Sequence, residues 1–182
     1  MITIVGLSGS LRKQSYNSSL LRPATEFIPE GDRLTIETIR GIYDGDLEAE
    51  GIPEPVLRLK ESIASADGLL LVTPEYNNSI PGVFKNAIDW LSRPPSDVPR
   101  IFRGKPVAII GVSPGGFGTI LSQNAWLPVL RTLRADHWSE GRLLVSKASD
   151  MFSEDGRLTD EKIKGQLREF VHGFFAYARE RK

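Results

Sequence analysis

The chain of 182 residues contains no cysteine. Disulfides, thiolate metal sites, iron–sulfur clusters and every cysteine-based catalytic scheme are thereby excluded. Histidine is nearly as scarce: only His137 and His172 occur, with no metal-ligand spacing between them. No apolar run approaches the length needed to span a bilayer. Neither sign of charge is in excess, since Lys and Arg total 23 and Asp and Glu also total 23. A balanced chain offers no electrostatic case for nucleic acid or an anionic membrane as partner. The opening MITIVGLSGS lacks a basic n-region and a cleavage site, so it reads as a strand rather than a signal peptide. There is no internal repeat, low-complexity tract or domain boundary. The composition, 40% hydrophobic and 25% charged, is that of an ordinary globular protein, and the length suits one domain over residues 1–182. A cytoplasmic location is the default expectation.

What is present alternates between two periods. Ile2 to Leu7, Leu34 to Ile39, Gly68 to Thr73, Pro106 to Val112 and Arg142 to Ser146 read as strands. The third and fourth are almost wholly aliphatic, as parallel strands covered on both faces should be. Helical patterns fall at Asn17 to Phe27, Pro53 to Ser65, Pro81 to Leu91, Thr119 to Leu133 and Asp160 to Ala178. Gly41 to Gly51 and the Pro-rich Arg93 to Arg100 read as the longest loops. Strands alternating with helices imply an α/β fold. Five strands fit a flavodoxin-like three-layer sandwich: a parallel sheet of order 2-1-3-4-5 with helices on both faces. Ligands of such sheets lie at the carboxyl ends of the strands, so the loops after strands one, three and four are the places to look.

The first loop, Ser8 to Asn17, offers Ser8, Ser10, Ser15 and Asn17 as small polar side chains, Gly9 for close backbone approach, and Arg12 as a fixed cation. Hydroxyl donors, helix N-terminal N–H groups and a guanidinium together suit a phosphate. The plainer reading is helix capping by Ser and Asn, which needs fewer donors than these ten residues supply. No GxxxxGK[ST] or GxGxxG follows the first strand, so a mononucleotide phosphate fits better than a Walker or dinucleotide site. The second loop, Thr73 to Gly82, is stiffened by Pro74 and Pro81 and displays Tyr76 and Asn77. It serves equally as a wall for a planar heterocycle or as a rigid connector without ligand.

GSLRKQSYN (Gly9 to Asn17) and PEYNNSIPGVFKNAIDWLSRP (Pro74 to Pro94) resemble the paired signatures of the NADPH-dependent FMN reductase family, which includes flavodoxin-like quinone, chromate and azo-dye reductases. The resemblance implies FMN as cofactor and NADPH or NADH as co-substrate. It places Ser10, Arg12, Ser15, Tyr16 and Asn17 around the FMN phosphate, and Pro74, Glu75, Tyr76 and Asn77 along the isoalloxazine and ribityl. Ser113, Gly115 and Gly116 match the family's third flavin loop, with Phe117 and Gly118 unassigned. Lys85, Asn86 and Asp89 read as helix and interface residues. It also implies ping-pong passage of two electrons, as a hydride, to a small-molecule acceptor: a quinone, an azo compound, free flavin or chromate. The cofactor carries that chemistry, so no catalytic side chain is expected. Family members are commonly homodimers or homotetramers. Pro23 departs from the family pattern and implies a kink or a late start in the first helix.

Two rivals need weighing. A flavodoxin-type electron carrier would share the fold and FMN without oxidising NAD(P)H, but the balanced charge shows no acidic docking face. Gly111-Val-Ser113-Pro-Gly115 formally matches the nucleophile elbow of serine hydrolases, with His137 or His172 as base and Asp136 or Asp150 behind it. There the residue after the serine must donate its N–H to the oxyanion, and Pro114 has none. The loss of one such donor costs about 2.7–4 kcal/mol of transition-state stabilisation.

Overall fold

A computed structural model of the chain describes residues 1–38 and 43–182. Among the described residues there are six strands: β1 (Thr3–Ser8), β2 (Arg33–Glu37), β3 (Gly68–Val72), β4 (Pro106–Val112), β5 (Asp136–His137) and β6 (Leu143–Val145). The helices are α1 (Tyr16–Ala24), α2 (Gly45–Glu50), α3 (Glu54–Ser65), α4 (Gly82–Leu91), α5 (Val98–Ile101), α6 (Ile120–Leu133), α7 (Ala148–Met151) and α8 (Glu161–Arg179). All pairings are parallel, in the order β2-β1-β3-β4, with β5 and β6 both on the far side of β4.

Burial follows the strand pattern. Every residue of β3 and β4 is buried, whereas in the edge strand β2 only Leu34 is. Alternate side chains serve opposite faces. Ile4, Leu70 and Val72 join a core beneath α1 and α8 that includes Leu20, Leu21 and Phe174. Val5, Leu7, Leu69 and Leu71 join a second core beneath α3, α4 and α6 that includes Ile63, Phe84 and Trp126. Each fully buried side chain of this size contributes about 1.5–3 kcal/mol. Trp90, Trp126 and Trp138 are all core residues.

The sequence reading needs four corrections. The fifth sheet position holds two strands, not one from Arg142 to Ser146. Asp136 and His137 pair with the start of β4, Leu143 to Val145 pair with its end, and after Trp138 N donates to Val107 O at 2.9 Å residues 139–142 leave the sheet between them. Trp138 marks the break, its ring turned onto Phe170 and Phe174 of α8. The segment read as a loop from Gly41 to Gly51 contains α2, capped by Asp44, whose carboxylate accepts from Asp46 N at 2.9 Å. Gly41 and Ile42, like Ile39 of the second predicted strand, lie outside the described residues. The Pro-rich stretch forms a 3₁₀ turn (Pro95–Asp97) and α5. Finally, Pro23 does not delay α1, which begins at Tyr16. It sits in the last turn, and the chain tightens into a 3₁₀ turn (Thr25–Phe27) two residues later. There a proline forfeits little of the ladder. No described helix is long and apolar enough to cross a membrane.

Candidate functional site

The strand register brings three loops to one edge of the sheet. Ser8 lies opposite Val72, Val72 opposite Ile110, and Val112 opposite Val145, so the chain leaves β1, β3 and β4 at nearly the same level. Gly9 N still donates to Val72 O at 2.8 Å, and a Cβ at Gly9 would overlap the Phe84 ring. Only glycine lets β1 and α4 approach this closely.

After Gly9 the first loop turns into α1. Ser15 is the N-cap, with extended φ/ψ and its Oγ accepting from Ser18 N at 3.3 Å. Its hydroxyl proton remains available to an incoming acceptor. Among the described residues, the backbone N–H groups of Ser10, Tyr16 and Asn17 have no protein acceptor, and Arg12 has no ion-pair partner. Ser10 Oγ accepts from Arg12 N at 3.4 Å, a contact at the weak end of the range. The Tyr16 ring packs on Phe152 with centroids 5.5 Å apart, so it is the backbone of Tyr16 that faces the loop.

Asn17 stands apart from this set. Its side chain is buried, donates Nδ2 to Val112 O at 2.9 Å and accepts from Val112 N at 3.1 Å on Oδ1. The amide therefore imitates a neighbouring strand for the last residue of β4 and ties the head of α1 to that strand. Only its backbone N–H is left to meet a ligand.

In the second loop, Tyr76 and Ser79 exchange both backbone hydrogen bonds, at 3.2 and 3.0 Å, around Asn77 and Asn78, whose φ values are 50° and 61°. Asparagine tolerates this left-handed two-residue turn well. The turn presents Tyr76 to solvent, while Pro74 is buried beneath it. The Glu75 carboxylate points the other way. Its Oε2 accepts from Leu121 N at 2.8 Å and Ser122 N at 3.0 Å, and so caps α6. Thr119, the residue at the N-cap position, makes no side-chain capping bond; its Oγ1 accepts from Gln123 Nε2 at 3.0 Å instead. One carboxylate thus locks the loop after β3 to the helix after β4.

The third loop is held at both ends. Ser113 N donates to Val145 O at 3.0 Å, Ser113 Oγ to Gly118 O at 2.6 Å, and Lys147 N to Gly115 O at 3.0 Å. Gly115 and Gly116 border open space, and Phe117 projects with 84% of its surface exposed. A buried support beneath these loops was not foreseen from sequence. Thr73 Oγ1 meets Ser122 Oγ at 2.9 Å and accepts from Trp126 Nε1 at 3.2 Å, and a Cβ at Gly111 would overlap the Thr73 carbonyl. A threonine closing an aliphatic strand was the one available signal.

Lys85 and Asp89 form an i,i+4 pair at 2.6 Å on α4, with Asn86 half-buried between them. The hydrolase alternative fails on placement. His137 pairs with Val107, six residues before Ser113 on β4, which puts it about 20 Å away along the strand. Its burial also lowers its pKa, which makes it a weaker base. His172 is exposed on α8, and the Ser113 hydroxyl is spent on Gly118. Among the described residues no cluster of His, Asp and Glu is arranged to hold a metal.

Known proteins agree with this geometry. The family model described as NADPH-dependent FMN reductase matches residues 2–150. An NAD(P)H-dependent FMN reductase of Pseudomonas aeruginosa is 41% identical, the match covering 98% of this chain and 96% of that protein. A 2-hydroxy-1,4-benzoquinone reductase of Burkholderia sp. is 34% identical over 100% of this chain and 98% of that one. Among solved structures, the flavoenzyme NAD(P)H:(acceptor) oxidoreductase FerB of Paracoccus denitrificans superposes with a TM-score of 0.86 at 36% identity, covering 100% of this chain and 99% of its own. With strand order, loop placement and these relatives in accord, the chain belongs to the NADPH-dependent FMN reductase family and is an oxidoreductase of FMN and NAD(P)H.

Proposed function

We propose that the chain acts as one FMN-binding domain whose first loop holds the flavin phosphate and whose second and third loops flank the ring. The observation that carries this reading is the head of α1. The N–H groups of Tyr16 and Asn17 there, and that of Ser10 in the loop before it, lack acceptors, the Ser15 hydroxyl can donate, and Arg12 has no acidic partner among the described residues. A dianionic phosphate would satisfy all of them at once. Ser10, Arg12, Ser15 and the backbone of Tyr16 and Asn17 are assigned to it. Pro74, Tyr76 and Asn77 are assigned to the isoalloxazine and ribityl, and Glu75 serves by fixing that wall through α6. Ser113, Gly115 and Gly116 form the third side, with no side chain on the glycines to fill the space.

When bound, FMN supplies the redox chemistry, taking two electrons from NAD(P)H and giving them to the acceptor in a ping-pong cycle. The protein's own part is to bind, orient and leave one ring face open. A quinone is the acceptor we favour, supported by the names of the quinone-reducing relatives. Azo compounds, free flavin and chromate are further acceptors of the same open site. Val83, Leu121 and Leu127 are exposed on α4 and α6 beside the loops, which supports a homodimer or homotetramer formed through those helices. A cytoplasmic location accords with the NAD(P)H supply the reaction requires.

The test is optical. Purified protein should carry or take up FMN, with absorbance near 450 nm (approximate, a property of bound flavin). Anaerobic NADPH should bleach it, and a quinone should restore it. Protein that takes up no FMN would defeat the reading, and FMN that NADPH and NADH both fail to bleach would favour a carrier.

A further inference from the structure

The third loop carries an aromatic ring that the flavin reading leaves unassigned. Of the eight phenylalanines, four tyrosines and three tryptophans, only Tyr76 and Phe117 are exposed, at 45% and 84%. A single apolar side chain on an ordinary surface needs no explanation. Here both exposed aromatics stand on loops of the candidate site. Glu75 Oε2 accepts from Leu121 N at 2.8 Å, so the second loop meets the chain four residues past Phe117, at most about 14 Å of extended backbone. Tyr76 follows Glu75 directly, and the two rings therefore rise beside the same gap. Gly115 and Gly116, just before Phe117, border its open space.

Phe117 is also held in place. Lys147 N donates to Gly115 O at 3.0 Å before it, and Ser113 Oγ donates to Gly118 O at 2.6 Å after it. Gly118 then turns the chain back with φ of 63° against Leu144. From this we infer that Phe117 selects the electron acceptor. With Tyr76 it contacts a planar aromatic acceptor, and so favours quinones and azo compounds over small oxyanions such as chromate. The inference rests on the flavin reading, because the gap serves the reaction only if FMN lies in it. A nicotinamide nucleotide brings ribose and phosphates for further contacts. A quinone brings little beyond its ring, so loss of one aromatic wall weakens it more. An oxyanion has no apolar face and gains nothing from Phe117.

The FMN-loaded, oxidised protein is titrated calorimetrically with 1,4-naphthoquinone, which cannot take electrons from oxidised flavin, so the titration reads binding alone. Phe117→Ala should raise Kd by about tenfold, Phe117→Leu by less, and Phe117→Tyr should restore it. The ring belongs to neither core, so its replacement leaves the fold standing. In turnover with NADPH, Phe117→Ala should raise KM for naphthoquinone by a similar factor with kcat little changed, and should raise KM for ferricyanide, an anion without an apolar face, less than about twofold. An unchanged Kd, or equal losses for the two acceptors, would overturn the inference. So would a change of oligomeric state in Phe117→Ala by gel filtration, which would give the ring to a subunit interface, or FMN-loaded wild type that fails to bind naphthoquinone. Wild-type protein that holds no FMN would instead contradict the flavin reading itself.

Discussion

Asn17→Ala isolates a structural role from a binding one. The substitution removes two buried hydrogen bonds, at 2.9 and 3.1 Å, and orphans both the carbonyl and the N–H of Val112 at the end of β4. A buried donor or acceptor left unsatisfied costs about 1–3 kcal/mol. Two such groups, partly relieved by water entering the vacated volume, give an expected loss of about 3 kcal/mol. For a chain of this length that corresponds to a Tm lower by roughly 6–12 °C. Urea unfolding of the apoprotein measures it without interference from bound flavin. Asn17→Asp should recover only part, because a carboxylate can accept from Val112 N but repels Val112 O. A loss below about 1 kcal/mol in Asn17→Ala would show that the amide does not bridge α1 and β4, and would return its side chain to the ligand.

Other substitutions probe the frame around the loops. Gly111→Ala forces a Cβ into the Thr73 carbonyl, where backbone cannot easily yield, and should cost at least about 2 kcal/mol in urea unfolding. Glu75→Ala strips the cap from α6 and should cost about 1 kcal/mol, with Glu75→Gln, which keeps one acceptor, recovering part of it. His137 gives a pH signature. Burial, only partly opposed by Asp136, lowers its pKa, so the unfolded chain binds its proton first as pH falls. Its contribution to stability is complete above the ordinary value of about 6.5 and declines as pH drops from there toward the lowered value. His137→Asn should flatten that part of the stability–pH curve, and an unchanged slope would count against burial as the cause.

The fold was legible wherever a strand or helix carries its own pattern. GLLLV and PVAIIGV read as buried parallel strands because every residue in them faces a core. Asp136–His137 was missed because a two-residue strand carries no periodicity, and because Trp138 then leaves the sheet for α8. Helix α2 was missed although Asp44 before a short acidic run is a capping signal. The phosphate loop was legible as a concentration of donors in ten residues. Which donors are free was not. The partner of Asn17 is 95 residues away and that of Glu75 is 46, so only the folded chain reveals that both side chains are committed to holding elements together. The carrier alternative, open on composition, gives way to membership of a reductase family.

The phosphate loop is best tested by comparing FMN with riboflavin, which differ only in the phosphate. Wild-type apoprotein should bind FMN about a hundredfold more tightly, and Arg12→Ala should weaken FMN by about thirtyfold, near 2 kcal/mol, while leaving riboflavin unchanged. Equal affinity for the two ligands, or equal losses for both in Arg12→Ala, would contradict a phosphate seated at the head of α1.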